Sequence, residues 1–363
     1  MSEVYLTHHS SRKRGTTVSK TKVRVGIVGA GPIGGLGRRP NSHAGAYRRC
    51  EDADLVAIAD INPVRLQQFG DEWEIAPEQR YATAADMYAH AGLDIVSVTT
   101  HNLYHHQPVI EAAQAGIKII MVEKPMAISV EWARKMIEAC DQHGCRLIVE
   151  HTRRFLPHYR KLKQMITDGA VGPLKTLSVE GCRPLLHNGT HNVDLAFYLS
   201  GATPARVTGF LNNETVADPG GGGIIECTNG IHIFVNCVAE RREWFDQVLI
   251  SGAGGRMHFS ERTSTWEYGP LNDAPGEPYN ARYDLQPIPD MPSNFDSSSF
   301  FYWAARESID CLLEDRESVS TGHDGLKALE AITAMHIAHH TGAWVAVPLS
   351  TGLDHFEIRS TGK

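Results

Sequence analysis

Residues 24–34 read RVGIVGAGPIG, an apolar strand that runs directly into Gly29-Ala30-Gly31-Pro32-Ile33-Gly34. A strand ending in a glycine turn presents free backbone N–H groups at the start of the next helix. Those donors, with the helix dipole, favour a pyrophosphate. In this GxGxxG spacing Gly29 makes the tight turn, Gly31 lets the backbone approach the phosphates, and Gly34 lets the helix pack closely on the strand. Pro32 and Ile33 complete the loop. A second apolar run, Leu55–Ala59, ends in Asp60, whose carboxylate suits the two ribose hydroxyls of an adenosine. The separation exceeds the usual spacing of about 20 residues; the surplus falls in the Gly/Arg/Pro-rich stretch Gly35–Gly45. A carboxylate at Asp60 repels a 2′-phosphate and favours NAD, while Arg38, Arg39 and Arg65 keep NADP open.

Outward from this stretch, residues 22–150 alternate strand and helix. The strands expected are Val23–Val28, Leu55–Ala59, Ile95–Thr99, Ile117–Val122 and Arg146–Val149. The helices include His106–Ala115 and Val130–His143, the latter with Ser129 as N-cap and Gly144 just past its end. Such alternation builds a doubly wound parallel sheet, with ligands beyond the carboxyl ends of its strands. After residue 150 the rhythm changes. Helix Pro157–Asp168, strand Leu174–Cys182 and helix Asn192–Leu199 precede a β-rich series: Ala205–Leu211, Gly223–Cys227, Ile231–Ala239, Gln247–Ser251 and Arg256–Ser260. Short glycine turns between these runs indicate a largely antiparallel open sheet. Helices Phe300–Leu313 and Asp324–His340 and a strand at Trp344–Pro348 close the chain. The fold class is therefore α/β: a nucleotide-binding domain over 22–150, then an α/β domain over 151–363. One face of the second sheet would cover the cofactor, and the other could pair with a second subunit. Residues 1–21 read as a polar tail without the apolar stretch of a secretory signal.

Composition narrows the function. The 363 residues carry a formal net charge of −7, which argues against nucleic acid or an anionic membrane as partner. No apolar run approaches the ~20 residues that span a bilayer. Seven cysteines without a CxxC pairing suit a reducing cytoplasm.

Two clusters carry chemistry. The fourth strand ends in Glu123-Lys124-Pro125, which sets a lysine where a nicotinamide ring would lie. Its ammonium can bond a substrate hydroxyl and stabilise the alkoxide as hydride leaves. The second cluster is His187-Asn188-Gly189-Thr190-His191-Asn192-Val193-Asp194. An imidazole titrates near neutral pH, so either histidine can exchange the hydroxyl proton. Two histidines and an aspartate can also ligate zinc, but a lysine already supplies the electrophile, and no metal is expected. Arg153, Arg154, Arg183, Arg241 and Trp244 suit a sugar pocket, offering charged forks to hydroxyls and aromatic faces to rings. Asn188 and Asp194 join them as substrate-site candidates, and Asp194 could instead orient His191 or cap its helix.

Taken in order, VGIVGAGPIG, VAIAD, TTHNLYHHQPVIEAAQAG, EKP, RRF at 153–155, GTHNVD and TGHDGLKALEAI at 321–332 resemble the Gfo/Idh/MocA oxidoreductases, the glucose–fructose oxidoreductase and inositol dehydrogenase group. The resemblance implies a Rossmann domain, a second domain on an open antiparallel sheet, and sheet-mediated homodimers or homotetramers. It also implies NAD(P)-dependent oxidation or reduction at a ring carbon of a sugar, cyclitol or related polyol. By that likeness Lys124 is the EKP lysine and His191 the acid/base. Thr100, Asn102, His105 and Glu123 join the cofactor site, with Asn102 and His105 near its nicotinamide end.

One position departs from the family. Its second-domain motif commonly begins with aspartate, and here that place holds His187. An imidazole stabilises a protonated neighbour less than a carboxylate does. Three readings follow: His187 bonds another substrate hydroxyl, relays the proton, or marks a broken triad. Two further functions stay open. One is redox-neutral glycoside cleavage through transient sugar oxidation; the other is a non-catalytic NAD- and sugar-binding regulator.

Overall fold

Strand β1 (Val23–Val28) is buried at every position except Arg24, as expected of a central strand in a parallel sheet covered on both faces. A computed structural model, which describes residues 22–213, 215–240, 246–272, 282–294 and 297–359, places it there. Its partners are β2 (Ala53–Ala59), β3 (Arg80–Tyr81), β4 (Ile95–Val98), β5 (Ile119–Val122) and β6 (Arg146–Val149). The order is β3-β2-β1-β4-β5-β6, all parallel, the doubly wound arrangement expected. The connecting helices are α1 (His43–Arg48), α2 (Pro63–Glu72), α3 (Ala84–His90), α4 (His106–Gln114) and α5 (Val130–His143). Helix α5 has the ends read from sequence: Ser129 Oγ accepts from Trp132 N, and Gly144 takes the left-handed conformation at φ 67°.

The helix after the glycine loop differs from expectation. Residues beyond Gly31 make a turn, in which Gly35 N donates to Gly31 O at 2.9 Å, and α1 begins only at His43. Yet His43 N donates to Ile33 O at 3.1 Å and Ala44 N to Gly34 O at 3.0 Å. Each offset is ten residues where a helix has four, so six residues are looped out of a helix that otherwise continues. The physical cause is Gly35, Gly37 and Pro40 of the insertion, residue types that helix interiors reject. Asp60 follows Gly34 by 26 residues; discounting six restores the expected spacing of about 20.

The second half contains α6 (Pro157–Thr167), β7 (Leu174–Cys182), α7 (Gly189–Ser200), β8 (Pro204–Leu211), β9 (Gly221–Cys227) and β10 (His232–Ala239). It continues with β11 (Gln247–Gly252), β12 (Gly255–Ser260), β13 (Thr265–Asn272), β14 (Arg282–Tyr283), β15 (Gln286–Pro287), α8 (Ser297–Leu313), α9 (Gly322–Thr341) and β16 (Val345–Ala346). The sheet runs β14-β13-β12-β11-β7-β10-β9-β8-β16, with β15 on β13. Every pairing in it is antiparallel except β7 with β10. Helix α9 touches both this sheet, at β8, and the first, at β6, while α7 packs on β7 and β10 and α6 packs on α7. Phe210, Phe234 and Leu249 are exposed on its strands.

Helix α8 packs back on the nucleotide-binding sheet. Ala304, Ala305, Ile309 and Cys311 join Tyr47, Ile95, Ile119, Met121 and Ile148 in one apolar cluster. The buried Tyr47 hydroxyl lies 3.1 Å from Ser97 Oγ and 3.0 Å from Ser308 Oγ, so sheet, α1 and α8 share one polar contact. A parallel sheet needs cover on both faces, and the short α1 leaves an area that α8 fills.

The turn Thr152–Phe155 that follows β6 is in turn fixed to α7 through Arg154. Its guanidinium grips Asp194 of α7 at 2.8 and 2.9 Å, and donates to Val319 O at 2.9 Å. Burial pushes the Asp194 carboxyl up, but Arg154 and His151 outweigh it and bring it down to about 2. The stabilisation is therefore complete above the ordinary carboxyl range and is lost as pH falls through about 2. Arg154→Met would strand a buried carboxylate and should cost about 3–5 kcal/mol in urea unfolding; a loss below about 1 kcal/mol would show that this contact contributes nothing beyond a surface pair.

Candidate active site

The carboxyl ends of β1, β2 and β4 open a groove of about 530 Å³, walled by Gly29, Gly31, Asp60, Ile61, Arg65 and Thr100. Gly29 holds φ at 103°, with Thr99 O 3.0 Å from where a Cβ would stand; at Gly34 a Cβ would meet Gly29 O at 2.2 Å. At Gly31 the same position faces open space, as close approach of a phosphate requires. Asp60 is buried and accepts from Ala30 N and Asn62 N, each at 2.7 Å, so the carboxylate that would meet the ribose also fixes the glycine loop. Arg65 lies 3.2 Å from the same carboxylate.

Through Thr99, Thr100 and His101 the groove continues into a second cavity of about 350 Å³. Ile33, Asn102, His105, Glu123, Lys124, Arg153, His187 and His191 line it, bringing together residues read as cofactor, catalytic and substrate candidates. The donor set fits a nicotinamide nucleotide. Both side-chain atoms of Asn102 and Thr100 Oγ1 are buried without a hydrogen-bond partner, and such groups cost free energy until something pairs with them. The His105 ring bridges Thr100 O at 2.9 Å and Pro125 O at 3.0 Å, tying the wall after β4 to the segment that carries Lys124. Burial lowers its pKa.

Lys124 stands at the end of β5 and donates from Nζ to His187 O at 2.9 Å, crossing from the first sheet to the second half. The loop receiving it is held from behind by buried Asp218, whose carboxylate accepts from Leu186 N at 2.9 Å and His187 N at 3.0 Å. At the position that departs from the family, the lysine is thus met by a main-chain carbonyl. His191 occupies the first turn of α7, which begins three residues earlier than Asn192 because Gly189 and Thr190 are buried and helical. Burial drives its imidazole well below the ordinary histidine value, and the charges of Lys124 and Arg153, with His151 and His187, push it the same way. At neutral pH His191 is therefore an uncharged base with Nδ1 unpaired by hydrogen bonding.

The remaining candidates are dispersed. Arg153 lies on the cavity wall, 3.2 Å from Asp246 and 3.5 Å from Glu261. Arg154 and Asp194 sit behind the wall in their buried pair, because α7 turns Asp194 toward the turn after β6. Arg183 is drawn to Glu240 at 2.6 Å, and Asn188 Nδ2 donates to Arg183 O, so both serve the loop rather than the cavity. Pro32 is an exposed residue of the glycine loop. Arg241 and Trp244 lie outside the described residues.

The lining groups that escaped the sequence reading include Glu150, Glu261, Phe300 and Phe301. Glu150 follows the last residue of β6 directly, so the rule that ligands gather at strand carboxyl ends would have found it. Glu261 and the two phenylalanines come from distant segments with no such local mark. Glu150 belongs to a buried group with His43 and Glu123, whose ligand-type atoms all lie within 4.8 Å of one another. His43 Nε2 is 2.6 Å from Glu150 and 3.2 Å from Glu123. Burial depresses the imidazole, but the two carboxylates overcome it and raise its pKa to about 10. Burial lifts Glu150 to about 7.

Residues 23–151 match the family model described as an oxidoreductase family with an NAD-binding Rossmann fold, GFO_IDH_MocA. The nucleotide-binding part of this chain thus belongs to the Gfo/Idh/MocA oxidoreductases, and the protein is an NAD(P)-dependent oxidoreductase. The chain is 27% identical to the D-apiose dehydrogenase of Paraburkholderia graminis over 345 residues, 87% of this chain and 88% of that protein. It superimposes on the aldose–aldose oxidoreductase of Caulobacter crescentus, solved with glycerol, at a TM-score of 0.72 and 24% identity, covering 90% of this chain and 100% of that one. It also matches the scyllo-inositol dehydrogenase of Lactobacillus casei, solved with NAD(H) and scyllo-inositol, at 0.71 and 18% identity over 90% and 99% of the two chains. These structures share both the parallel sheet and the second sheet.

The electrostatic coupling across the cavity is measurable. Removing the Lys124 charge should raise the His191 pKa, read by NMR titration of the imidazole in Lys124→Met against wild type. An unchanged value would mean that the two groups do not share a field.

Proposed function

We propose that this protein is a dehydrogenase that oxidises a secondary alcohol of a sugar, cyclitol or related polyol with NAD as preferred cofactor. One observation carries the reading: an ammonium from the nucleotide-binding half and a neutral imidazole from the other line one cavity, continuous with a dinucleotide groove. The relatives' names, D-apiose dehydrogenase and scyllo-inositol dehydrogenase, support the substrate class. The nicotinamide, when bound, supplies the hydride acceptor. Gly29, Gly31 and Asp60 would hold its nucleotide part, and Thr100 and Asn102 would pair with the end nearest the reacting carbon. Lys124 would trade the His187 carbonyl for the substrate oxygen, holding it as negative charge develops. His191 would take the hydroxyl proton. Arg153 and Glu261 offer donors and acceptors for neighbouring hydroxyls, and Phe300 and Phe301 an apolar wall.

Among the described residues no helix is long and apolar enough to cross a membrane. All seven cysteines are buried and none is in a disulfide, which supports a cytoplasmic setting. Exposed Phe210, Phe234 and Leu249 make the outer face of the second sheet the surface through which a homodimer or homotetramer would form.

The test is NADH formation with NAD⁺ and a panel of aldoses, alditols and cyclitols. Lys124→Ala should lower kcat about a hundred- to a thousandfold, and His191→Asn about a hundredfold or more, with NAD binding retained. Because His191 is depressed, kcat/KM for oxidation should stay level above pH 6.5 and fall only at lower pH. No turnover with any member of the panel, or full activity in either variant, overturns the assignment.

A further inference from the structure

The function proposed above uses Lys124 and His191 and leaves the buried group behind them unassigned. Two carboxylates, Glu123 and Glu150, stand at adjacent strand ends on the wall of the same cavity as the lysine. Glu150 is 1% exposed. Left unbalanced, such a pair would be the strongest nearby attraction for an ammonium, because buried charges cannot rely on water. The Lys124 Nζ nevertheless donates to a neutral carbonyl, His187 O, while its charge also acts on Glu123.

The third member explains this. His43 opens α1, and the loop-out that keeps α1 in register with Ile33 and Gly34 sets its ring between the two carboxylates. The edge of Phe301 from α8 closes the remaining side, with ring centroids 5.5 Å apart. The titratable groups acting on the ring are Glu123 from the end of β5 and Glu150 from the end of β6. Above about pH 7, where Glu150 is ionised, two carboxylates, one imidazolium and one ammonium sum to zero charge. Without the imidazolium the set is one negative charge in excess.

We propose that His43 is a positioning residue: by occupying the Glu123–Glu150 pair it keeps Lys124 Nζ on the His187 carbonyl, at the place where a substrate oxygen would be held. The proposal rests on the dehydrogenase reading for its catalytic consequence, but the position of Nζ can be read without turnover.

The experiment compares crystal structures and kinetics of His43→Gln, Glu150→Gln and the double variant, all with NAD⁺. In His43→Gln, Nζ should leave the His187 carbonyl for the carboxylates. The kcat on the best substrate of the panel should fall about tenfold or more, with the KM for NAD⁺ changed less than about twofold. Adding Glu150→Gln restores the charge balance, so the double variant should return Nζ to the carbonyl and recover activity to near that of Glu150→Gln alone. A packing role would make the two losses additive, since charge compensation is what couples them. The proposal is overturned if Nζ stays on His187 O in His43→Gln, or if the losses add. Should His43→Gln fail to fold, NMR of the wild-type ring at pH 8 decides: a charged imidazole supports the proposal and a neutral one overturns it. Saturable Zn²⁺ binding by the wild type also overturns it, because the three side chains would then be ligands. If no sugar or cyclitol turns over while Nζ still moves as stated, the dehydrogenase reading fails and the positioning role stands.

Discussion

An ammonium at the end of one sheet held against a carbonyl of the opposite half is the contact on which the cavity depends. Lys124 donates to His187 O at 2.9 Å, and that carbonyl is steady because Asp218 takes the two amides around it. A lysine side chain has several rotatable bonds and loses much freedom when fixed. It can be aimed only if each attraction around it is balanced. The surrounding structure supplies that balance: His105 pins the backbone next to Lys124, and the ring of His43 occupies the carboxylates behind it.

The same constraint accounts for the buried charge pair behind the cavity. The cavity wall keeps its shape only if the turn leaving β6 is held in place, and Arg154 and Asp194 hold that turn on α7. Arg154 directly follows Arg153, and Asp194 lies three residues after His191, yet neither lines the cavity. Arg153 faces the cavity and Arg154 the charge pair, an alternation set by the short turn Thr152–Phe155. His151 bears on Asp194 at 3.0 Å from the same side and stands 6.5 Å, ring to ring, from His191. Position of the base and stability of the charge pair are therefore linked through α7, which carries both His191 and Asp194.

Much of this was legible in the chain. The parallel sheet, the glycine loop, Asp60 and the lysine at the end of β5 follow from local patterns with a strict physical reading: apolar strands, a turn at positive φ, a strand carboxyl end. What stayed hidden was set by tertiary partners. Nothing near Arg183 marks it for Glu240, and nothing near Arg154 marks it for Asp194, since each partner lies 40 or more residues away. The looped-out insertion was visible as composition, but its hydrogen-bond register with Ile33 and Gly34 was not. Helix α8 was located, while its return to the first sheet depends on a vacancy beside the short α1 that only the packed structure reveals.

The insertion gives the last link. A loop of Gly, Arg and Pro inside a helix normally breaks it, and here the break is repaired by the amides of His43 and Ala44, which resume bonding to Ile33 and Gly34. Had the chain resumed one residue later, the helix would have turned by about 100°, carrying His43 off the carboxylates. Ser42 caps the new start by accepting from Gly45 N at 3.2 Å, and a Cβ at Gly45 would collide with Pro40 O at 2.3 Å. Small residues at this seam are thus required for the loop to close, and closure of the loop sets the charge balance around the lysine. The insertion in this way bears on the electrostatics of the site through the placement of His43.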